Sequence, residues 1–138
     1  MRAIKEIIVH CSATKPSVDI GAKEIKVWHT RDRHWEDIGY HYVIRRNGFI
    51  ERGRPEWRQG AHCTGHNRHS IGVCYVGGLD QNGNPADTRT PAQKRALLTL
   101  LKELVTKYRC QIHGHKEYAP KACPCFDAYS EYKALWNS

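Results

Sequence analysis

The sequence lacks any apolar run as long as a membrane span, which takes about 20 consecutive apolar residues. Its first segment, MRAIKEIIVHCSA, carries Lys5 and Glu6 where a secretory signal has an uninterrupted apolar stretch. We therefore expect a protein that is made in a cytoplasm and does not span a membrane. In that compartment the six cysteines are expected to be mostly thiols rather than a disulfide framework.

Acidic residues are scarce relative to basic ones, with 14 Asp and Glu against 22 Lys and Arg and a formal net charge of +8. This balance favours a polyanionic partner such as nucleic acid, an anionic membrane or an anionic cell envelope. The sequence contains no zinc-finger spacing, basic zipper or glycine-rich RNA-binding signature, so we expect no nucleic-acid partner. Solubility and nonspecific attraction explain the charge about equally well.

Strands and helices are predicted to alternate along the chain, with no internal repeat, low-complexity tract or linker. Apolar and β-branched runs predict strands at 4–11, 71–78 and 111–115. The pair Asn47-Gly48 between two β-like runs predicts a hairpin, and the polar stretch 54–70 predicts a long loop. Helices are predicted at 22–33, 90–108 and 127–136, the second of them from the capping box TPAQ (90–93). This order predicts a single α/β domain over residues 1–138.

The segment HKEYAPKACPCF (115–126) places a histidine, a lysine and a cysteine close together, and its two prolines favour an ordered loop. His115 and Cys123 offer an imidazole and a thiolate, both of which zinc accepts. A catalytic zinc takes three protein ligands and keeps an open position, and His10 at the end of the first predicted strand is the best third ligand. The residues alone leave open an alternative in which His10 is a hydrogen-bonded strand-end residue and Cys123 a small buried apolar one.

Other residues of metal-binding type compete with this group. The loop 54–70 contains four of them, His62, Cys63, His66 and His69. A metal site needs a supported shell as well as suitable residue types, so we interpret these four as substrate-facing instead. Pro124 limits how Cys125 and Cys123 could reach one ion, and Cys125 is interpreted as a small loop residue or a weak redox partner. Cys11 follows His10 on a strand, points to the opposite face and is assigned to the core.

Five motifs together carry a resemblance to a known family. In chain order they are HCSATKPS (10–17), WEDIGYHYVIRRNG (35–48), SIGVCYVGG (70–78), TPAQ (90–93) and HKEYAPKACP (115–124). With this set the sequence resembles the type-2 N-acetylmuramoyl-L-alanine amidases, which share a fold with the peptidoglycan recognition proteins. It is most similar to the short phage lysozymes, which are amidases, of T-odd coliphages. The resemblance covers nearly the whole chain.

The resemblance implies a mixed central β-sheet flanked by helices, with one zinc ion (Zn2+) per chain in an open cleft. The family's metal ligands fall on His10, His115 and Cys123, its catalytic tyrosine on Tyr40 and its catalytic lysine on Lys121. The implied reaction is hydrolysis of the amide between N-acetylmuramic acid and L-alanine in bacterial peptidoglycan. The implied setting is a phage or prophage endolysin, made in the host bacterial cytoplasm and acting on the cell wall after release across the membrane. We expect a monomer.

The roles of Lys121 and Tyr40 follow from the chemistry of amide hydrolysis. Negative charge develops on the carbonyl oxygen, and one fixed donor aimed at that oxygen contributes about 3 kcal/mol. Lys121 stands two residues from Cys123, so the resemblance places it beside this oxygen, against the alternative of a solvated surface lysine. The phenol of Tyr40 could orient or deprotonate the water or hydrogen-bond the intermediate, and the sequence does not separate these roles. His41 points away from Tyr40 in a regular strand and is excluded.

Two further functions remain open from the sequence. A peptidoglycan-binding module without catalysis typically lacks the metal cysteine, so the presence of Cys123 argues against it. Some phage relatives also bind and inhibit phage RNA polymerase through their N-terminal region. The few residues before the first predicted strand leave that second partner undecided.

Overall fold

The computed structural model describes residues 2–137. Its strands are β1 (Glu6–Cys11), β2 (Tyr42–Ile44), β3 (Ile50–Arg52), β4 (Ser70–Tyr75) and β5 (Gln111–Gly114). They form one five-stranded sheet in the order β3-β2-β4-β1-β5. The pairs β2–β4, β4–β1 and β1–β5 are parallel, and β3 is antiparallel to β2. The expected mixed sheet is therefore confirmed.

Among residues 2–137, three α-helices accompany the sheet, α1 (Ala22–Val27), α2 (Pro91–Tyr108) and α3 (Ala128–Tyr132). The predicted helix 22–33 is regular only to Val27, because Trp28–Asp32 form a π-helical turn. The predicted helix 127–136 likewise changes to a 3-10 turn at Lys133–Leu135. Further 3-10 turns lie at Asn67–His69 and His115–Glu117. Every helix among the described residues is too short or too polar to cross a bilayer.

The start of α2 confirms the predicted capping box. The Thr90 hydroxyl accepts a hydrogen bond from the Gln93 N–H at 3.0 Å, and the Gln93 side chain accepts one from the Thr90 N–H at 3.0 Å. The apolar stripe of this helix is buried against the sheet through Leu97, Leu100, Leu101, Leu104 and Val105. Burial of each such side chain contributes about 1.5–3 kcal/mol, so α2 is a principal source of core stability.

The two faces of the sheet have separate cores. Ile7, Val9 and Cys11 of β1 face α2 and α3 in the larger core, which confirms the assignment of Cys11 to the core. The alternation of side chains along β1 sends His10 to the opposite face, where the smaller core packs Ile25 of α1. His10 is 1% exposed, so its imidazole is fixed at the end of a central strand.

The hairpin predicted at Asn47-Gly48 connects β2 and β3. The Arg45 N–H donates to the Phe49 carbonyl at 2.9 Å, and the Gly48 N–H donates to the Arg45 carbonyl at 2.8 Å. Gly48 has a φ of 89°, a conformation that favours glycine at this point of a short hairpin loop. The hairpin fixes β2, and Tyr40 lies two residues before the first residue of that strand.

Candidate active site

Two histidines meet because the strands before them are parallel neighbours. Val9 of β1 is in register with Gly114 of β5, so the next residues, His10 in β1 and His115 just after β5, lie side by side. Their ring centres are 4.6 Å apart. The carboxyl ends of parallel strands commonly form ligand sites in α/β proteins, and here they place two imidazoles at one edge.

Cys123 reaches the same edge through an anchored loop. The Cys11 N–H donates to the Cys123 sulfur at 3.1 Å, and the Tyr75 hydroxyl donates to the Pro124 carbonyl at 2.7 Å. The Cys123 sulfur lies 3.9 Å from His10 Nδ1. One donor atom each from His10, His115 and Cys123 lies within 4.8 Å of the others. The structure therefore brings together the three side chains that the sequence singled out as metal ligands.

The two histidines are held in the neutral form. Burial lowers the pKa of His10 well below its ordinary value, and the nearby His62 and His115 rings lower it further. Burial also lowers the pKa of His115, and the charge of Lys121 adds to this shift. A neutral imidazole is the form that binds a metal, so the site needs no deprotonation of these histidines at neutral pH.

A cleft of about 180 Å³ opens above this group, and both predicted catalytic residues line it together with His115. The Tyr40 ring centre is 5.0 Å from that of His10. Burial raises the pKa of Tyr40 well above its ordinary value, and the thiols of Cys74 and Cys123 raise it further. The phenol is therefore protonated at neutral pH and can donate a hydrogen bond. Lys121 is exposed at the opening of the cleft.

The four competing loop residues separate into two pairs. His62 and Cys63 line the cleft, which agrees with the interpretation of substrate-facing residues. His66 instead stacks on Tyr118 with ring centres 3.7 Å apart, and His69 Nδ1 lies 3.1 Å from the Ala3 carbonyl. Neither His66 nor His69 lines the cleft, and a role of these two in facing the substrate stays a prediction.

Cys125 and His41 point away from the candidate ligands. The Cys125 sulfur donates to the Gly78 carbonyl at 3.2 Å and lies 4.0 Å from the Cys11 sulfur. His41 Nδ1 accepts a hydrogen bond from the Gly72 N–H at 3.0 Å, and its ring is fully buried. Neither side chain lines the cleft.

Sequence reasoning missed three cleft residues that lie at or beyond the end of α1. His29 Nδ1 accepts a hydrogen bond from the Gly39 N–H at 2.8 Å and so fixes the residue before Tyr40. Arg33 and Trp35 line the cleft, with the guanidinium carbon 5.2 Å from the indole ring centre. The π-helical turn at Trp28–Asp32 precedes Arg33 and Trp35, and such turns are frequent at functional sites. The spacing of apolar residues in 22–33 fits a regular α-helix, so it does not predict the π-helical turn.

Comparisons with known proteins agree with the geometry of the site. Residues 1–126 match the family model described as N-acetylmuramoyl-L-alanine amidase. The endolysin of Escherichia phage T7 is 50% identical over 122 residues, which span 88% of this chain and 80% of that protein. The structure of the N-acetylmuramoyl-L-alanine amidase LysC from Clostridium intestinale superposes with a TM-score of 0.82 at 29% identity, covering 99% of this chain and 87% of that one.

The fold is also that of the peptidoglycan recognition proteins. Drosophila PGRP-LB superposes with a TM-score of 0.78 at 22% identity, covering 97% of this chain and 82% of that one. This likeness concerns the fold alone, whereas the family model covers both the histidines and the cysteine of the candidate site. The chain therefore belongs to the N-acetylmuramoyl-L-alanine amidase family.

Proposed function

We propose that this amidase is a zinc-dependent phage endolysin, which hydrolyses the amide between N-acetylmuramic acid and L-alanine with one zinc ion held by His10, His115 and Cys123. The observation that carries the proposal is the convergence of these three donor atoms within 4.8 Å at a cleft lined by Tyr40 and Lys121. The enzyme would be made in the host cytoplasm and act on the wall after release across the membrane.

The donor set fits a catalytic zinc ion. Two imidazoles and one thiolate are ligands that zinc prefers, and three protein ligands leave one position for water or substrate. When bound, zinc would supply a water of lowered pKa and would polarise the carbonyl of the substrate. The anchoring of Cys123 through Cys11 and of its loop through Tyr75 supports a preformed site.

Lys121 and Tyr40 would supply the charge stabilisation and the hydrogen bonding. The ammonium group of Lys121 would face the carbonyl oxygen as negative charge develops on it, which contributes about 3 kcal/mol for one such donor. The protonated phenol of Tyr40 would donate a hydrogen bond in the cleft, since burial keeps its pKa high. Both groups are close to the ligands but outside the ligand set.

The charge of the cleft suits a substrate with carboxylates. Arg33 and Lys121 are basic residues in the lining, and no Asp or Glu belongs to the lining formed by residues 2–137. Stem peptides of peptidoglycan carry carboxylates. Within the same described range, Arg33 has no ion pair and stacks on Trp35, which leaves its guanidinium available to such a carboxylate.

The experiment is to measure zinc content and the products released from purified cell wall. One zinc per chain and new free amino groups on alanine, without new reducing sugar ends, are the expected results. Wall binding without any product would favour a peptidoglycan-binding module, and reducing ends would favour a glycosidase. Binding of phage RNA polymerase and the monomeric state stay predictions, and copurification with polymerase and sedimentation would test them.

A further inference from the structure

We infer that His62 is a positioning residue for His10 and that it forms the middle of a hydrogen-bonded relay from Ser70 to His10. This inference rests on the proposed zinc site and adds a supporting residue to it. His62 Nδ1 lies 2.8 Å from His10 Nε2, and His62 Nε2 lies 3.2 Å from the Ser70 hydroxyl oxygen.

The direction of each hydrogen bond in the relay follows from the position of Cys123. His10 Nδ1 faces the Cys123 sulfur at 3.9 Å, so this nitrogen is the one available to the metal. The proton of the neutral His10 ring must then lie on Nε2, where it is donated to His62 Nδ1. His62 in turn carries its proton on Nε2 and donates it to the Ser70 hydroxyl. Every ring nitrogen in the relay thus has one defined role.

The His62 ring packs against the backbone of two glycines, whose lack of a side chain makes room for it. A methyl group added at Gly72 of β4 would lie 2.6 Å from the His62 ring, and one added at Gly60 would lie 2.8 Å from it. Both distances are shorter than side chains tolerate, so only glycine leaves room for the imidazole. The loop after the ring is also fixed, because Asn67 Oδ1 accepts from the N–H groups of His62 and Cys63, each at 2.9 Å.

This arrangement also explains why His62 is a supporting residue rather than a rival ligand. Its Nδ1 is occupied by His10 and its Nε2 by Ser70, so neither nitrogen is free for a metal. Metal-binding histidines generally donate their second ring N–H to a fixed acceptor, and loss of that acceptor typically weakens metal binding about 10- to 100-fold. Here the acceptor is another imidazole, and the sequence pattern contains no sign of the pairing.

The test compares zinc dissociation constants, measured by competition with a chelator of known affinity. His62→Phe keeps a ring but removes the acceptor, and it should weaken zinc binding about 10- to 100-fold. His62→Asn keeps an acceptor close to the position of Nδ1, whereas His62→Gln places one near Nε2, so the Asn variant should bind zinc more tightly than the Gln variant. Ser70→Ala should weaken binding in the same direction by a smaller factor.

The matched control is His66→Phe, which makes the same substitution in the same loop and keeps the stack on Tyr118. It should leave zinc affinity unchanged. Urea unfolding of the zinc-free proteins separates loss of the fold from loss of the relay, and a His62→Phe protein that fails to fold leaves the Asn and Gln pair to decide. Zinc affinity equal to the parent in His62→Phe, or equal in the Asn and Gln variants, would overturn the relay. A parent that binds no zinc would instead overturn the proposed function.

Discussion

The backbone N–H of Cys11 donates to the sulfur of Cys123 at 3.1 Å, so the residue after His10 fixes the third candidate ligand. Removal of that sulfur should abolish zinc binding. We expect Cys123→Ser to lose zinc and activity while it keeps its fold, because the larger core packs α2 and α3 against the sheet without a metal. Zinc content and circular dichroism check both expectations.

Cys125→Ser is the matched control for that variant. In the parent protein the Cys125 sulfur donates to the Gly78 carbonyl and lies outside the candidate ligand group. The zinc content and turnover of the variant should therefore match those of the parent. Loss of stoichiometric zinc in Cys125→Ser, or its retention in Cys123→Ser, would show that the ligand assignment is wrong.

Lys121→Ala and Tyr40→Phe test the mechanism apart from the metal. If Lys121 stabilises charge that appears only in the transition state, its removal should lower kcat about 100- to 1000-fold and leave zinc and wall binding nearly intact. Tyr40→Phe removes one hydroxyl and should act on the same step. Lys116→Ala is the control, since Lys116 is an exposed lysine of the same segment that does not line the cleft. Near-normal cleavage by Lys121→Ala would show that Lys121 is a solvated surface lysine without a catalytic role.

Arg33→Ala tests the recognition of substrate carboxylates. A charge-assisted hydrogen bond contributes about 1.5 kcal/mol or more, so the variant should raise KM about tenfold with little change in kcat. Arg31→Ala removes the same charge two residues earlier in the chain, but Arg31 is paired with Asp32 and does not line the cleft. Equal changes in KM for the two substitutions would show that Arg33 contributes only its positive charge and does not bind a substrate carboxylate directly.

Arg89→Met tests a buried arginine that binds two partly exposed carboxylates outside the candidate active site. The Arg89 side chain is 2% exposed, donates to Asp87 at 2.9 Å and Glu131 at 2.7 Å, and lies over the Phe126 ring. Loss of these charge-assisted hydrogen bonds should lower the unfolding free energy by about 1.5–3 kcal/mol with zinc binding unaffected, since the two carboxylates left behind are partly exposed to water. Urea unfolding measures the loss, and the exposed Arg95→Met on α2 should be neutral. An unchanged unfolding midpoint for Arg89→Met would contradict the prediction.

Glu56 should make stability depend on pH. Burial alone would raise its pKa, but hydrogen bonds from Lys107, Tyr108 and Tyr42 outweigh this effect and hold the pKa at about 2. A carboxyl whose pKa is lowered by folding stabilises the protein above its ordinary pKa and loses that contribution as the pH falls toward 2. Glu56→Gln should therefore be less stable than the parent near neutral pH.

Urea unfolding between about pH 7 and about pH 3 measures this dependence. The difference between the parent and Glu56→Gln should shrink as the solution becomes more acidic. Glu103→Gln on the exposed face of α2 is the control and should show no such trend. A stability difference that is constant with pH would show that Glu56 acts through packing alone.

The sequence determined the elements whose signals are local. The capping box at Thr90 and the apolar stripe from Leu97 fix α2, because both depend on residues three or four positions apart. Gly48 fixes the hairpin through its own backbone conformation. The five motifs determined the family and named the three residues that the structure brings together, since the order and spacing of motifs are properties of the sequence.

The tertiary structure alone decided which residues support this group. The contact of His62 with His10 joins positions 52 residues apart, and it depends on the parallel register that brings β4 beside β1. Arg33 and Trp35 follow a π-helical turn and line the cleft. Such a turn departs from the α-helical repeat, so the spacing of apolar residues in the sequence does not predict the direction of the chain after it. Hydrogen bonds between distant segments form only when the whole sheet is assembled, and for this reason the sequence named the candidate ligands but not the residues that hold them in place.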